Sequence, residues 1–535
     1  MKNIFMKLML LLFVALPMMV AAQNESVNIK VCPSAMGYQW RVAVGSERVP
    51  QDIYNPKRAY MWISPRTERV KGVIFSCHNA MEQGVIESPE FREAMAQMNF
   101  AIVWLTPAIE PSNVFYAGNG AQKIFERTMR DLAEVSGYAE IEYAPVVWMG
   151  HSARASEPYN FGAWNPDRAL ALISLHGDSP HSQVLCCNNT NPDWGERTID
   201  GIPTLMCVGE YEWGEFRIES AFPFMRRYPQ STLSLLCDAG HGHSDISEQE
   251  IQYLVTFIRK AVEYRMPEGW SGEGKPRLHK INPRDGWLAD RWHKDTPPQA
   301  EAAPYDEYMG MRDSAFWYFD EEMVRLTEAY YARERGKESR EIEIWQQGER
   351  VERLRFRPLE DGLSYRVNLK LSGSKATKEP IRLRRECGAV EIVDDSTLRV
   401  RFNQAGFRDR RVADLGVCAY LPADKRYKRA VTMLGVRIPM RIENGQPQTI
   451  TFPALSDVKR GAEAIKLAAT STSGLRVEYY VEQGAAHIEG DSLIFDELPP
   501  RAKLPMKVEV IAWQYGIDGK WQSAESVSRE FYIKE

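Results

Sequence analysis

The chain has 535 residues, 44% of them hydrophobic and 26% charged, with a formal net charge of −5. That length exceeds what a single hydrophobic core organises, and the composition excludes a wholly disordered or collagen-like chain. The mild acidity and the lack of a long basic run argue against nucleic acid as a partner.

The first 22 residues carry Lys2 and Lys7, an apolar run from Leu8 to Val20 and then Ala21-Ala22. This is the layout of a secretory signal peptide cleaved before Gln23. Losing the two lysines takes the net charge from −5 to −7. No later stretch approaches the ~20 apolar residues of a membrane span. The expectation is a secreted or periplasmic protein without membrane insertion. Of the eight cysteines, Cys77, Cys207 and Cys237 fall inside apolar runs and read as buried thiols. Spacing assigns no pairing to Cys32, Cys186, Cys187, Cys387 or Cys418.

From Arg58 to Pro267, short continuous apolar runs alternate with helix-like segments, the pattern of a largely parallel sheet covered on both faces. The runs are Val73–Cys77, Ala101–Leu105, Val146–Met149, Ala169–Leu175, Thr204–Val208 and Leu233–Cys237. The first helix is expected to open with Ser88 as N-cap and Pro89 at N1 and to reach Asn99. The last has Ile251, Leu254, Val255, Ile258, Ala261 and Val262 at helical spacing and stops before Pro267. Residues 268–336 read as an ordered, tryptophan-bearing linker followed by a helix over Ser314–Arg335, with Gly336 beyond its end. From Glu341 onward, alternating runs such as Arg476–Val481 indicate β-sandwich modules, divided near 438/439 on length grounds. The expected organisation is therefore α/β over 23–267, a linker and helix over 268–336, and β modules over 337–438 and 439–535. Chain cleavage near Gly336 should be tolerated better than cleavage near Pro267.

The chemistry concentrates at the ends of the apolar runs. After Val146–Met149 comes Gly150-His151-Ser152-Ala153-Arg154, after Thr204–Val208 comes Gly209-Glu210-Tyr211-Glu212, and after Leu233–Cys237 comes Gly240-His241-Gly242-His243-Ser244-Asp245. The first resembles the nucleophile elbow of α/β-hydrolases, in which a strained turn exposes a serine hydroxyl above the sheet. The resemblance covers residues 58–267 and implies a Ser-His-acid triad with Ser152 as nucleophile. The acid is Glu212, with Glu210, Glu215 and Asp178 as alternatives. The base is His243 or His241, of which His243 is favoured. The same resemblance implies oxyanion donors at Ala153 and in the loop Asn79-Ala80, with His78 lining the site. Arg154 departs from the small residue usual there; it is expected either to bind a substrate carboxylate or to pair with Glu157. The C-terminal half resembles Ig-like modules of secreted bacterial proteins, carried by Ser471–Tyr480 and Gly490–Leu493.

Three functions follow. A serine esterase acting on a small-molecule or glycan ester, with no cofactor or metal, leads. A catalytically inactive glycan-binding protein is second. The third is a zinc hydrolase, because His241-x-His243-x-Asp245 also resembles the start of the ligand set of metallo-β-lactamase-like enzymes. Acyl group, alcohol and oligomeric state are left open.

Overall fold

Eight strands make the central sheet of the computed structural model, which describes residues 37–44, 57–106, 120–182, 192–212, 214–373, 377–404, 407–409 and 412–535. They are β1 Trp40–Ala43, β2 Arg58–Trp62, β3 Gly72–Cys77, β4 Phe100–Thr106, β5 Val146–His151, β6 Ala169–Leu175, β7 Thr204–Gly209 and β8 Leu233–Asp238. Their order is β1-β2-β4-β3-β5-β6-β7-β8. β1 and β2 pair antiparallel with their neighbours, and β4 through β8 run parallel. Every residue of β3 through β8 is buried. That is why these strands read as unbroken apolar runs. The expected signal peptide, Cys32, Cys186 and Cys187 lie outside the described residues. No helix among the described residues is long and apolar enough to cross a membrane.

Seven helices flank this sheet: α1 Met81–Ile86, α2 Pro89–Met98, α3 Ala121–Ser136, α4 Glu157–Trp164, α5 Gly214–Glu219, α6 Phe222–Arg227 and α7 Glu248–Arg265. In α2 the Ser88 hydroxyl accepts the Phe91 amide at 3.1 Å, and Asn99 closes the helix in the left-handed region at φ 58°. Ser247 caps α7 in the same way, accepting from Glu250 N at 3.1 Å.

The linker differs from expectation. Among its described residues only Glu321–Glu334 (α8) is α-helical, with Asp320 accepting the Met323 amide at 3.1 Å. Phe316–Tyr318 is instead a strand paired with Trp287–Ala289. Its aromatic side chains are buried beside β8, where Tyr318 Oη donates to Leu235 O at 2.8 Å. A capping aspartate inside the expected helix sets where α8 begins, and the aromatic run before it packs better as a strand.

The C-terminal part is built of small, mostly antiparallel sheets. Most buried residues between 344 and 438 form a core of their own, and most of those beyond 439 join the core of the central sheet. Val508 and Val510 of the strand Met506–Trp513 join the core of the central sheet, whereas Trp513 and Tyr515 join Tyr365, Leu398 and Val417 in a second core. Polar contacts also cross from the β modules to the first 267 residues. Arg385 Nη1 meets Glu87 at 2.8 Å, Gly388 N donates to Gln83 Oε1 at 3.0 Å, Lys428 pairs with Glu210, and Arg429 Nε lies 3.4 Å from Asp245. The described residues belong to one compact unit. A cut at Gly336 would expose these buried carboxylates without their partners.

Candidate active site

The ends of β5, β7 and β8 converge on one edge of the sheet, where open α/β sheets present their ligands. β5 turns sharply after His151, and Ser152 takes φ 54° before the single 3₁₀ turn Ser152–Arg154 and α4. Only a glycine at 150 permits this turn, since a Cβ there would lie 2.1 Å from Arg154 O. Gly209 has the same requirement: its Cβ would meet Gly242 O at 2.3 Å, so the loops after β7 and β8 touch backbone to backbone.

That contact brings three side chains into line. His243 Nε2 lies 2.6 Å from Ser152 Oγ, and His243 Nδ1 lies 2.6 Å from Glu212 Oε2. A carboxylate only accepts, so Nδ1 carries the proton and Nε2 faces the serine as acceptor. The His243 side chain is 42% exposed, against 7% for Glu212. The serine and imidazole are thus open to a ligand while the acid is shielded.

Two further histidines complete the site, and sequence reasoning did not assign either. His176, at the end of β6, places Nδ1 3.0 Å from the other Glu212 oxygen. Burial opposes charge on His176, yet Glu212 and Glu250 together hold it well above the usual histidine range. Burial likewise opposes charge on Glu212, but His176 and His243 hold its carboxyl well below the usual range. His151 Nε2 lies 2.8 Å from His243 O, and a carbonyl only accepts, so Nε2 carries the hydrogen. Burial and the neighbouring His243 push His151 well below its usual range and leave it neutral. Its Nδ1 must therefore accept, which directs the Asn79 Nδ2 amide toward it at 3.1 Å.

Several expectations are corrected. The Asn79 and Ala80 main-chain amides do not face the serine; they donate to the Glu82 carboxylate at 2.5 and 2.7 Å. Glu82 is a local cap in the first turn of α1, a competitor that the loop sequence contained. His78 does not line the opening: it is 5% exposed and packs edge-on against Trp104. His241 is turned away from Ser152 into a buried pair with Asp245 at 2.6 Å and Asp238 at 3.2 Å. Arg154 meets Glu157 at 3.2 Å with 11% of its side chain exposed, the ion-pair alternative. Asp178 faces Arg217 at 3.7 Å, Glu210 takes Lys428 and the Gly240 amide, and Glu215 accepts from Lys294 N at 3.0 Å. His241 and His243 thus address different partners and do not converge as a ligand pair. Ala153, inside the 3₁₀ turn, keeps an amide that the turn itself does not use.

Buried carboxyls around the site give stability a pH dependence. Burial raises Glu82 and Asp238 each to about 7. Between pH ~4 and ~7 the folded chain therefore retains protons that the unfolded chain has released, and stability falls as pH rises. The depressed Glu212 and Asp245 act oppositely below the ordinary carboxylate range and the depressed His151 does so up to pH ~6.5, above which the raised His176 adds to the fall. The thermal midpoint should be higher near pH ~5 than near pH ~8, and Glu82→Gln should flatten that slope. A midpoint that climbs across the interval would contradict this assignment.

No protein-family model matches the chain, and no curated protein does. Solved structures align with less than half of it. Poly(aspartic acid) hydrolase-1 from Sphingomonas sp. KT-1 is 10% identical, covering 42% of this chain and 99% of its own, with a TM-score of 0.31. The poly(3-hydroxybutyrate) depolymerase LpqC from Bordetella parapertussis is 16% identical over 44% and 94%, TM-score 0.29. A thermostable carboxylesterase from a metagenomic library, EstE1, is 11% identical over 43% and 91%, TM-score 0.29. By name these proteins are a hydrolase, a depolymerase and a carboxylesterase.

Proposed function

We propose that the chain is a serine hydrolase of carboxylic esters, secreted after cleavage before Gln23. The observation that carries this reading is the hydrogen-bonded line from Ser152 through His243 to Glu212, built on a serine held at positive φ. Ser152 Oγ attacks the ester carbonyl while His243 Nε2 takes its proton, and Glu212 stabilises the imidazolium. The tetrahedral intermediate collapses as His243 returns the proton to the departing alcohol, leaving an acyl-serine. Water, deprotonated by the same imidazole, then releases the acid.

Two donors serve the oxyanion. One is the Ala153 amide. With the Asn79 and Ala80 main-chain amides occupied by Glu82, the second is the Asn79 side chain, whose Nδ2 uses one hydrogen on His151 and has another to offer. Asn79→Ala should then lower kcat by about 10²–10³-fold with little change in KM. A loss below tenfold would remove Asn79 from this role.

Glycan-borne acyl or methyl esters fit as substrates because a cleft of about 1410 Å³, lined by Asn79, Ala80 and Ser244, adjoins the loops that carry Asn79 and His243. That exceeds the roughly 300–1,000 Å³ of a small-molecule pocket. Assays of the purified protein on acetyl, feruloyl and methyl esters of polysaccharides test the reading. An inert protein across that panel and on a short-chain aryl ester would leave a glycan-binding role instead.

A further inference from the structure

The far wall of the cleft belongs to the β modules. The lining includes the segment Val351–Arg357, which bends at Glu352 and Arg353 and contributes Arg353, Arg355 and Arg357. The three arginines are exposed, whereas Leu354 between them is buried and Phe356 packs against the module core. From Leu354 onward buried and exposed side chains alternate, which puts Arg355 and Arg357 on the solvent side, and Arg353 is exposed at the bend just before them. Among the described residues none of the three has an ion-pair partner. An arginine left without a carboxylate in a concave site is poised for one from a ligand.

The other charges in the cleft do not cancel this row. Asp414 is answered by Arg437 at 3.0 Å. Glu386 is fully buried, and burial pushes its carboxyl well above the usual range, which leaves it neutral. Glu349 and Glu352 stand before Arg353 on the same segment. A densely charged phosphate backbone would meet both glutamates. Among the described residues the one aromatic side chain in the lining, Phe356, is committed to the module core and offers no stacking platform for bases. A chain with carboxylates at intervals and neutral, hydroxyl-rich units between them suits the mixed wall better.

We infer that the Arg353-Arg355-Arg357 row is a binding site for the carboxylates of a uronate-bearing polysaccharide, seated along the cleft so that an ester on the same polymer reaches Ser152. The substrate class rests on the esterase reading above, while binding itself does not. The acidic-substrate preference expected of Arg154 is thereby carried by the opposite wall.

The test uses the full-length Ser152→Ala protein and measures its binding to polygalacturonate, to neutral arabinoxylan and to single-stranded poly(dT). Polygalacturonate should bind best, more weakly as salt rises. Arg353→Ala/Arg355→Ala/Arg357→Ala should weaken it at least about tenfold, and the matching triple lysine variant should lose less. An unchanged thermal midpoint confirms that these exposed substitutions leave the fold intact. Polygalacturonate affinity unaffected by the triple alanine variant overturns the site, as does equal affinity for arabinoxylan or tighter binding of poly(dT). Hydrolysis of a neutral aryl ester by the Ser152 protein is scored separately. Its absence would defeat the esterase reading and leave the binding result standing.

Discussion

Ser152→Ala is expected to abolish ester turnover by at least about a thousandfold while leaving the fold and thermal midpoint close to those of the parent. The size follows from what the hydroxyl does. Without Oγ no acyl-enzyme forms, and the residual rate is that of water positioned beside His243 and the oxyanion donors. The substitution is structurally mild because Ser152 Oγ contacts only His243 Nε2 among the hydrogen bonds of the turn, and the strained φ is held by Gly150 and the packing of Arg154. Alanine adds no bulk at that φ. A serine-directed fluorophosphonate should label the parent at Ser152 and leave the variant unlabelled. Full activity in Ser152→Ala, or activity abolished by a chelator and restored by zinc, would defeat the serine mechanism.

Much of the sheet was legible because its inner strands are covered on both faces and so appear as unbroken apolar runs; the observed β6 has the expected bounds. The two antiparallel strands β1 and β2 at one side of the sheet were not, being short and set among residues that lack such a run. Helix α8 was read seven residues too long at its start because Phe316, Trp317 and Phe319 suit an apolar helix face as well as a strand. Only the pairing of Phe316–Tyr318 with Trp287–Ala289 decides between them. What the sequence did not show is that Trp513, far along the chain, shares a core with Tyr365.

At the site, the turn chemistry around Ser152 and the chain order serine, acid, histidine were readable because they are local. The groups that tune them were not. His176 meets Glu212 and His151 meets Asn79 only through the parallel sheet, which sets strand ends side by side. One signal was available: a histidine directly after β6, at the same sheet edge as Ser152 and Glu212. Glu82 was equally local, three residues beyond Asn79, and its reach back to the loop amides is an ordinary device of a helix start.

The two histidines of the loop after β8 should separate cleanly in experiment. His243→Ala removes the group that accepts the serine proton, so turnover should fall at least about a thousandfold. Its thermal midpoint should change little, because 42% of that side chain is exposed. His241→Ala should do the reverse. Its side chain is 4% exposed and lies between Asp238 and Asp245, so its removal strips a partner from buried carboxyls at a cost of about 3–5 kcal/mol. Arg429 still faces Asp245 at 3.4 Å, which keeps the loop anchored to the β module. The folded fraction of His241→Ala, counted by fluorophosphonate labelling of Ser152, should therefore turn over near the parental rate. Because serine and base act as a unit, Ser152→Ala/His243→Ala should be no slower than either single variant, whereas combining Ser152→Ala with His241→Ala should add the stability loss to the activity loss. If His241→Ala silenced the labelled enzyme and His243→Ala did not, the base would be His241, and the 2.6 Å approach of His243 to Ser152 would have no part in catalysis.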